Sequence, residues 1–275
     1  MLADPTLNFL IIMLAGATAG FINSIVGSGT LISFPLLLLL GYPPLTANVS
    51  SSVGLVAGNI SGALGYRREI KDNLSLVKML LPSSILGGIC GAGLLLVLPE
   101  SAFDFIVPIL VGLGLLMVVL GPVIQRKVAA SRAEKASAEP LPVLAHRQEA
   151  AVPVGGRRIA AIVIVFLLGV YGGYFGAAQG MLMIGFLGVL LTVSLQSLNA
   201  VKNLLVSAVN ILSAVIFMIF AGSTINWFVV LAIALGAAVG GFAGAKIGRR
   251  LSPNLLRGVI LVIGTIALIN LIFNN

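Results

Sequence analysis

Charge is scarce in this sequence. Only 9% of its 275 residues are charged, whereas 59% are hydrophobic. A soluble domain carries about 25% charged residues, so a chain this poor in charge does not stay in water. Its apolar runs repeatedly reach or approach the roughly 20 residues that cross a bilayer as a helix. The composition therefore predicts an all-α polytopic membrane protein whose main partner is the lipid bilayer.

Residues that bind metals or perform covalent catalysis are also rare. A single cysteine, Cys90, and a single histidine, His146, exclude an intrachain disulfide and a metal site built from several thiolates or imidazoles. The sequence contains no HExxH, GxSxG or phosphate-loop motif and no paired carboxylates in its apolar segments. We expect neither an enzyme nor a bound cofactor. The net charge of +8 lies at the ends of apolar runs, which is typical of cytoplasmic loops and does not indicate nucleic-acid binding.

Two halves of the chain resemble each other. A shift of 153 residues aligns them without a gap. Glycine and asparagine matches are harder to obtain by chance than leucine matches, and they include Gly16 with Gly169, Gly20 with Gly173, Gly27 with Gly180, Asn73 with Asn226, and Gly87, Gly88 and Gly91 with Gly240, Gly241 and Gly244. We expect a first repeat at 1–121, a flexible linker at 122–158 and a second repeat at 159–275.

Each repeat contains five apolar segments, and the second of them is too short to cross a bilayer. The segments lie at 7–26, 30–41, 45–66, 74–98 and 102–121, and at 160–178, 180–194, 198–221, 227–248 and 254–273. The short second segments predict a broken or re-entrant helical hairpin beside about three full transmembrane helices, although five crossings per repeat fit the pattern as well.

Basic residues predict the orientation of the repeats. In the first repeat, Arg67, Arg68 and Lys71 follow the third segment, and the equivalent loop of the second repeat has no basic residue. After the fourth segment the pattern reverses, with Arg249 and Arg250 in the second repeat. Equivalent loops then face opposite sides of the membrane, which defines inverted-topology repeats. We expect periplasmic termini and a cytoplasmic linker.

Glycine-rich stretches interrupt the helices at equivalent places, 23–30 and 172–180. Where a helix restarts inside the membrane, its first N–H groups and the positive end of its dipole favour an anion. The candidate substrate-binding residues in these stretches are Asn23, Gly27, Ser28, Gly29, Thr30, Gln179 and Gly180. The alternative is that the glycines serve close helix packing only.

The third segments carry the other candidate residues, namely Asn48, Ser50, Ser51, Asn199, Lys202 and Asn203. Hydrogen bonding between helices is the alternative role of the serines and asparagines. Lys202 differs because an ionisable residue inside an apolar segment is costly and usually functional. The alternative to a functional role is that the Lys202 side chain extends its ammonium to the membrane surface.

The scarcity of acidic residues in the apolar segments favours an anion as the transported species. A cation carrier or a carboxylate proton relay would need such residues. We therefore expect a transporter that binds a small anion between the broken segments and alternates its access. Two other hypotheses are a non-transporting assembly or accessory protein and a carrier of a different organic anion or metabolite.

At these residues the chain resembles the sulfite exporter TauE/SafE family of membrane permeases. The resemblance covers nearly the whole chain except the linker. It rests on Gly27-Ser28-Gly29-Thr30 with Pro35, Gly41-Tyr42-Pro43-Pro44, Ala47-Asn48, Tyr66-Arg67, Asn199-Ala200-Val201-Lys202-Asn203, Ile225-Asn226-Trp227, Gly236 to Ala245, and Arg249-Arg250-Leu251 with Leu255-Leu256-Arg257.

The resemblance implies export of sulfite or of sulfonates such as sulfoacetate across a bacterial inner membrane. It does not indicate which sulfur anion is carried, which ion is coupled or what the oligomeric state is. The second repeat departs from the family's glycine run, since Ala177-Ala178-Gln179 precede a single Gly180. We therefore expect the first break to contribute more of the anion binding.

Overall fold

The computed structural model describes residues 4–138, 153–191, 193–247 and 253–273. These residues form eleven α-helices and no strand. The helices are α1 (Pro5–Ile25), α2 (Thr30–Leu39), α3 (Pro44–Gly65), α4 (Arg67–Asp72), α5 (Leu74–Val97), α6 (Glu100–Ala138), α7 (Gly156–Tyr174), α8 (Gln179–Leu190), α9 (Leu195–Phe220), α10 (Trp227–Ile247) and α11 (Pro253–Phe273).

Six helices are long and apolar enough to cross a bilayer: α1, α5, α6, α7, α9 and α10. Large apolar side chains on several of them point outward. Leu14, Phe105 and Val239 are 63%, 74% and 69% exposed, which suits contact with lipid and not with water. The chain is a multi-pass membrane protein, as its composition predicts.

Three helices depart from a simple crossing. With 10 and 12 residues, α2 and α8 are too short to span the hydrocarbon core, in agreement with the predicted broken segments. Helix α3 has 22 residues but is not among the six candidate spans, because it carries several polar side chains. Four of these, Asn48, Ser50, Ser51 and Asn59, are buried, so the polar face of α3 points into the protein.

Glycines allow the most extensive helix contacts, in which α1 packs on α10 and α5 packs on α7. A Cβ added at Gly16 of α1 would come within 2.7 Å of the Ile233 carbonyl oxygen of α10. A Cβ added at Gly169 of α7 would come equally close to the Ser84 carbonyl oxygen of α5. Gly16 and Gly169, which the 153-residue shift aligns, thus line two contacts of the same kind.

The structure differs from the sequence-based expectation around the linker and the basic loop. Helix α6 continues to Ala138 and α7 begins at Gly156, so both ends of the predicted linker are helical. The middle of the linker, at 139–152, and the predicted loop at Arg249 and Arg250 lie outside the described residues. The Arg67 loop forms the short helix α4, where Ile70 and the adjoining Tyr66 pack near Ala200 and Ala245.

Candidate functional site

The first helix break separates α1 from α2 at residues 26–29. Gly27 has φ +83°, a left-handed conformation that glycine adopts without steric cost. The N–H groups of Val26 and Gly27 both donate to the Ile22 carbonyl, at 2.7 and 3.3 Å, and close the end of α1. Asn23 Oδ1 accepts a hydrogen bond from the Gly29 N–H at 3.2 Å. The break lies inside the predicted interval, and Asn23 stabilises its turn.

The second break separates α7 from α8 at residues 175–178. Its turn repeats that of the first break, since the Phe175 and Gly176 N–H groups donate to the Tyr171 carbonyl at 3.0 and 3.2 Å, and Gly176 has φ +77°. Gly176 therefore corresponds to Gly27, at a separation of 149 residues. The predicted gapless alignment fails here, because its offset of 153 pairs Gly27 with Gly180 instead.

Alanine occupies a left-handed position in the second break. Ala178 has φ +62°, unlike every other non-glycine residue of the described ranges, and this conformation costs an L-residue about 1–2 kcal/mol. We expect Ala178→Gly to raise the free energy of unfolding by about 0.5–1 kcal/mol. This net gain is the relieved strain minus the cost of the greater conformational entropy that glycine gives the unfolded chain. Thermal melting in detergent measures this change. An equal or lower melting temperature would contradict the assignment of strain to Ala178.

The two breaks touch each other inside the protein. The Gly180 N–H donates to the Gly27 carbonyl at 3.1 Å. A Cβ added at Gly27 would lie 2.6 Å from the Gly180 Cα, and one added at Gly180 would lie 2.7 Å from the Gly27 Cα. We call this contact the crossing. Only glycine at both positions allows the two backbones to approach this closely.

Several buried polar groups at the crossing have no hydrogen-bond partner among the described residues. They are Ser28 Oγ, the Gln179 amide Nε2 and Oε1, and Lys202 Nζ, and all three side chains are fully buried. Gly180 makes room for the stem of Lys202, since a Cβ added there would lie 3.0 Å from its Cδ. Gly172 makes room for the Gln179 amide, which an added Cβ would overlap.

Two asparagines bind the carbonyl ends of the broken helices. Asn48 Nδ2 of α3 donates to the Tyr174 carbonyl, the last of α7, at 3.2 Å. Asn203 Nδ2 of α9 donates to the Ser24 carbonyl, near the end of α1, also at 3.2 Å. Each third segment thus satisfies a helix end of the opposite repeat. The other amide atom of Asn48, Oδ1, is buried without a partner.

The remaining predicted residues have varied surroundings. Ser51 Oγ lies 2.6 Å from Ser33 Oγ, and Ser50 Oγ accepts from the Asn226 N–H at 2.9 Å, so both serines link helices. Thr30 Oγ1 faces the second break, 3.7 Å from a Cβ added at Gly176. Asn199 Oδ1 is buried and has no hydrogen-bond partner in the described part of the chain.

A small polar cavity beside the first break contains residues outside the predicted set. It is lined by Asn23, Ser24, Gly58, Asn59, Gly62, Asn203, Val206 and Ser207. Asn23 Nδ2 donates to Asn59 Oδ1, and Ser207 Oγ donates to the carbonyls of Asn59 and Asn203. Asn59 lies three helical turns beyond Asn48, so both side chains lie on one face of α3. This spacing could have identified Asn59 as a candidate residue from the sequence.

Two broken helices that meet inside a membrane domain, with polar groups buried around the contact, are an arrangement typical of membrane transporters. A family model described as sulfite exporter TauE/SafE matches residues 12–271. The chain belongs to this family.

Named relatives agree with that class. A probable membrane transporter protein of Escherichia coli, YfcA, is 26% identical over 261 residues, which cover 94% of this chain and 87% of the relative. A probable membrane transporter protein of Haemophilus influenzae is 23% identical over 266 residues, covering 96% and 94%. One from Sinorhizobium sp. is 34% identical over 109 residues, covering 40% and 41%. No solved structure matches the chain.

Proposed function

We propose that this protein is a transporter that exports small sulfur-containing anions, such as sulfite or sulfoacetate, across a bacterial inner membrane by alternating access. The observation that carries the proposal is Lys202, whose side chain is fully buried beside the crossing and whose Nζ has no partner among the described residues. A buried ammonium without a counter-ion costs several kcal/mol. An anionic cargo removes that cost by pairing with it.

Within the described part of the chain, no buried acidic side chain supplies the counter-charge. Among the residues whose burial the structure describes, Lys202 is the only buried side chain of a charged type. The groups around it are hydroxyls, amides and the starts of α2 and α8, which favour anions. Export of one negative charge from an inside-negative cell gains about 2.3 kcal/mol per 100 mV, so the membrane potential alone can drive it.

The identity of the cargo rests on the family rather than on the geometry. Sulfite and sulfonates present a compact group of oxygen atoms around a sulfur, and Ser28, Gln179 and Lys202 provide the donors that such oxygens accept. A carrier for another organic anion would need the same donors. The family description is what favours a sulfur anion.

Inverted-topology repeats are part of the proposal. Each helix packs on a helix of the other repeat, and equivalent helices have equivalent partners, which supports a two-fold relation. Helix α1 packs on α10 as its equivalent α7 packs on α5, and α2 packs on α11 as its equivalent α8 packs on α6. Rocking one repeat against the other around the crossing would open the site alternately to each side.

Orientation can be tested by cysteine labelling in a variant whose native Cys90 is replaced by alanine. We expect Asn274→Cys to react with an impermeant maleimide from the periplasmic side, and Ser137→Cys only after the membrane is permeabilised. The termini would then be periplasmic and the linker cytoplasmic, as the distribution of basic residues predicts. Reaction of both positions from the same side would refute the inverted-repeat topology.

Transport itself is tested with purified protein in proteoliposomes loaded with labelled sulfite. We expect potential-dependent efflux that excess unlabelled sulfite inhibits, and none from liposomes made without the protein. An accessory membrane protein predicts no flux of any anion. A carrier of another organic anion predicts that sulfite neither moves nor competes, and a screen of carboxylates would then identify the cargo.

A further inference from the structure

The described residues contain buried hydrogen-bond acceptors without a partner as well as buried donors without one. The Asn48 amide is oriented by the Tyr174 carbonyl, which can accept only from Nδ2. Its Oδ1 is therefore an acceptor, and it is buried without a partner among the described residues. The Gln179 amide has no partner at either end, so in any orientation it adds one free acceptor and one free donor.

An anion that carries no hydrogen cannot satisfy these acceptors. A fully ionised oxyanion can pair with Lys202 Nζ and Ser28 Oγ, but it has no hydrogen to offer to Gln179 Oε1 or Asn48 Oδ1. A buried acceptor that remains unpaired, or that faces another acceptor, opposes binding. The single buried cation of the described residues also balances one negative charge and not two.

We propose that the site selects a monoanion that carries its own hydrogen-bond donor, such as hydrogen sulfite or a hydroxy- or amino-substituted sulfonate, over a dianion or a sulfonate without a donor. Lys202 and Ser28 bind the charged oxygens, and Gln179 Oε1 or Asn48 Oδ1 accepts from the O–H or N–H of the cargo. This inference rests on the proposed anion transport at the crossing and adds the protonation state and functional group of the cargo.

Matched ligands test the selection at a fixed pH. The probes are 2-hydroxyethanesulfonate and ethanesulfonate, which differ in one hydroxyl, and sulfate, which is a dianion without a donor. The readouts are binding to the purified protein and competition with proteoliposome flux. A site built to pair with a ligand hydroxyl discriminates strongly against the analogue that lacks it. We expect the hydroxy-sulfonate to bind at least tenfold more tightly than ethanesulfonate, and sulfate to bind more weakly than both.

The outcomes separate the two proposals. Equal or tighter binding of ethanesulfonate or sulfate would overturn the selection of a donor-bearing monoanion and leave anion transport intact. If none of the three ligands, nor sulfite, binds or competes, the proposed transport function fails and this inference fails with it.

Variants of Gln179 locate the acceptor. Gln179→Met removes the acceptor at similar length, so the preference for the hydroxy-sulfonate should fall about tenfold while ethanesulfonate affinity changes less. Gln179→Glu retains an acceptor and adds a negative charge, so both sulfonates should bind more weakly while the preference for the hydroxy-sulfonate is kept.

Gln196→Met is the control, since Gln196 is exposed and bonds to Glu69. Loss of affinity for both sulfonates in equal proportion in Gln179→Met would overturn the assignment of Gln179 as the acceptor.

Discussion

Replacing Lys202 by methionine should lower anion affinity by tenfold or more and at the same time raise the stability of the ligand-free protein. The two effects have one cause. The ammonium is buried without a partner among the described residues, so we expect it to destabilise the empty site and to pair with a bound anion. A desolvated charge pair contributes more than about 1.4 kcal/mol, a factor of ten in affinity, more often than an exposed one does. Methionine keeps the length of the side chain and removes the charge.

Melting temperature with and without sulfite, together with flux in proteoliposomes, measures both effects of Lys202→Met. We expect a higher melting temperature without ligand, little further increase with sulfite, and a large rise in the concentration that half-saturates transport. Arg67→Met is the control, because Arg67 begins the short helix α4 outside the apolar segments, and it should leave affinity unchanged. Unchanged affinity in Lys202→Met would mean that the ammonium does not contact the cargo, and the site would then depend on backbone N–H groups, Ser28 and Thr30.

Much of the fold was predictable because membrane helices have a strong local signal. A run of apolar residues must satisfy its own backbone in lipid, so its length and position specify a helix almost independently of the rest of the chain. The predicted segments therefore agree with the helices to within a few residues, including the short α2 and α8. The short helix α4 and the extension of α6 were missed because their residues are charged and polar, and no apolar run marks them.

The candidate site was predictable in its residue types and only partly in its contacts. Intramembrane polarity identified Lys202, Gln179 and Ser28, because such groups are rare in apolar segments. Sequence spacing could not show that Gly27 meets Gly180 across the two repeats, since that contact depends on how the breaks pack. The observed second break, at 175–178, lies inside the predicted interval, but the 153-residue spacing pairs Gly27 with Gly180, whereas the turn geometry pairs Gly27 with Gly176.

The sequence predicts that the first break contributes more of the anion binding, whereas the hydrogen bonds around the two breaks favour a different division of roles. The first break is held by Asn23 and, through Asn59 and Asn203, by the helices around it. At the second break, the Gln179 side chain remains without partners among the described residues. We therefore expect the first break to serve mainly as a fixed support and Gln179 of the second break to contact the cargo, which the Gln179 variants test directly.

The crossing should tolerate no side chain, so Gly180→Ala should abolish transport and lower the free energy of unfolding by about 2–4 kcal/mol. The methyl group would lie 2.7 Å from the Gly27 Cα, a backbone atom that no rotamer change can move. Separating the two backbones costs about 1–3 kcal/mol of packing and about 0.5–1.5 kcal/mol for the hydrogen bond from the Gly180 N–H to the Gly27 carbonyl. Gly180 does not have a positive φ, so the effect would be steric and not a matter of backbone strain.

Gly93→Ala is the matched control for Gly180→Ala. Gly93 lies within α5, and a Cβ added there would meet nothing within 4 Å. Alanine is favoured over glycine inside a helix by about 1 kcal/mol, so Gly93→Ala should melt at the same or a higher temperature and transport normally. Because both variants add one methyl group to a membrane helix, the difference between them isolates the contact of the two breaks. Normal melting and flux in Gly180→Ala would show that the two breaks can separate by the width of a methyl group without loss of function. In that case the crossing is not the fixed point around which access alternates.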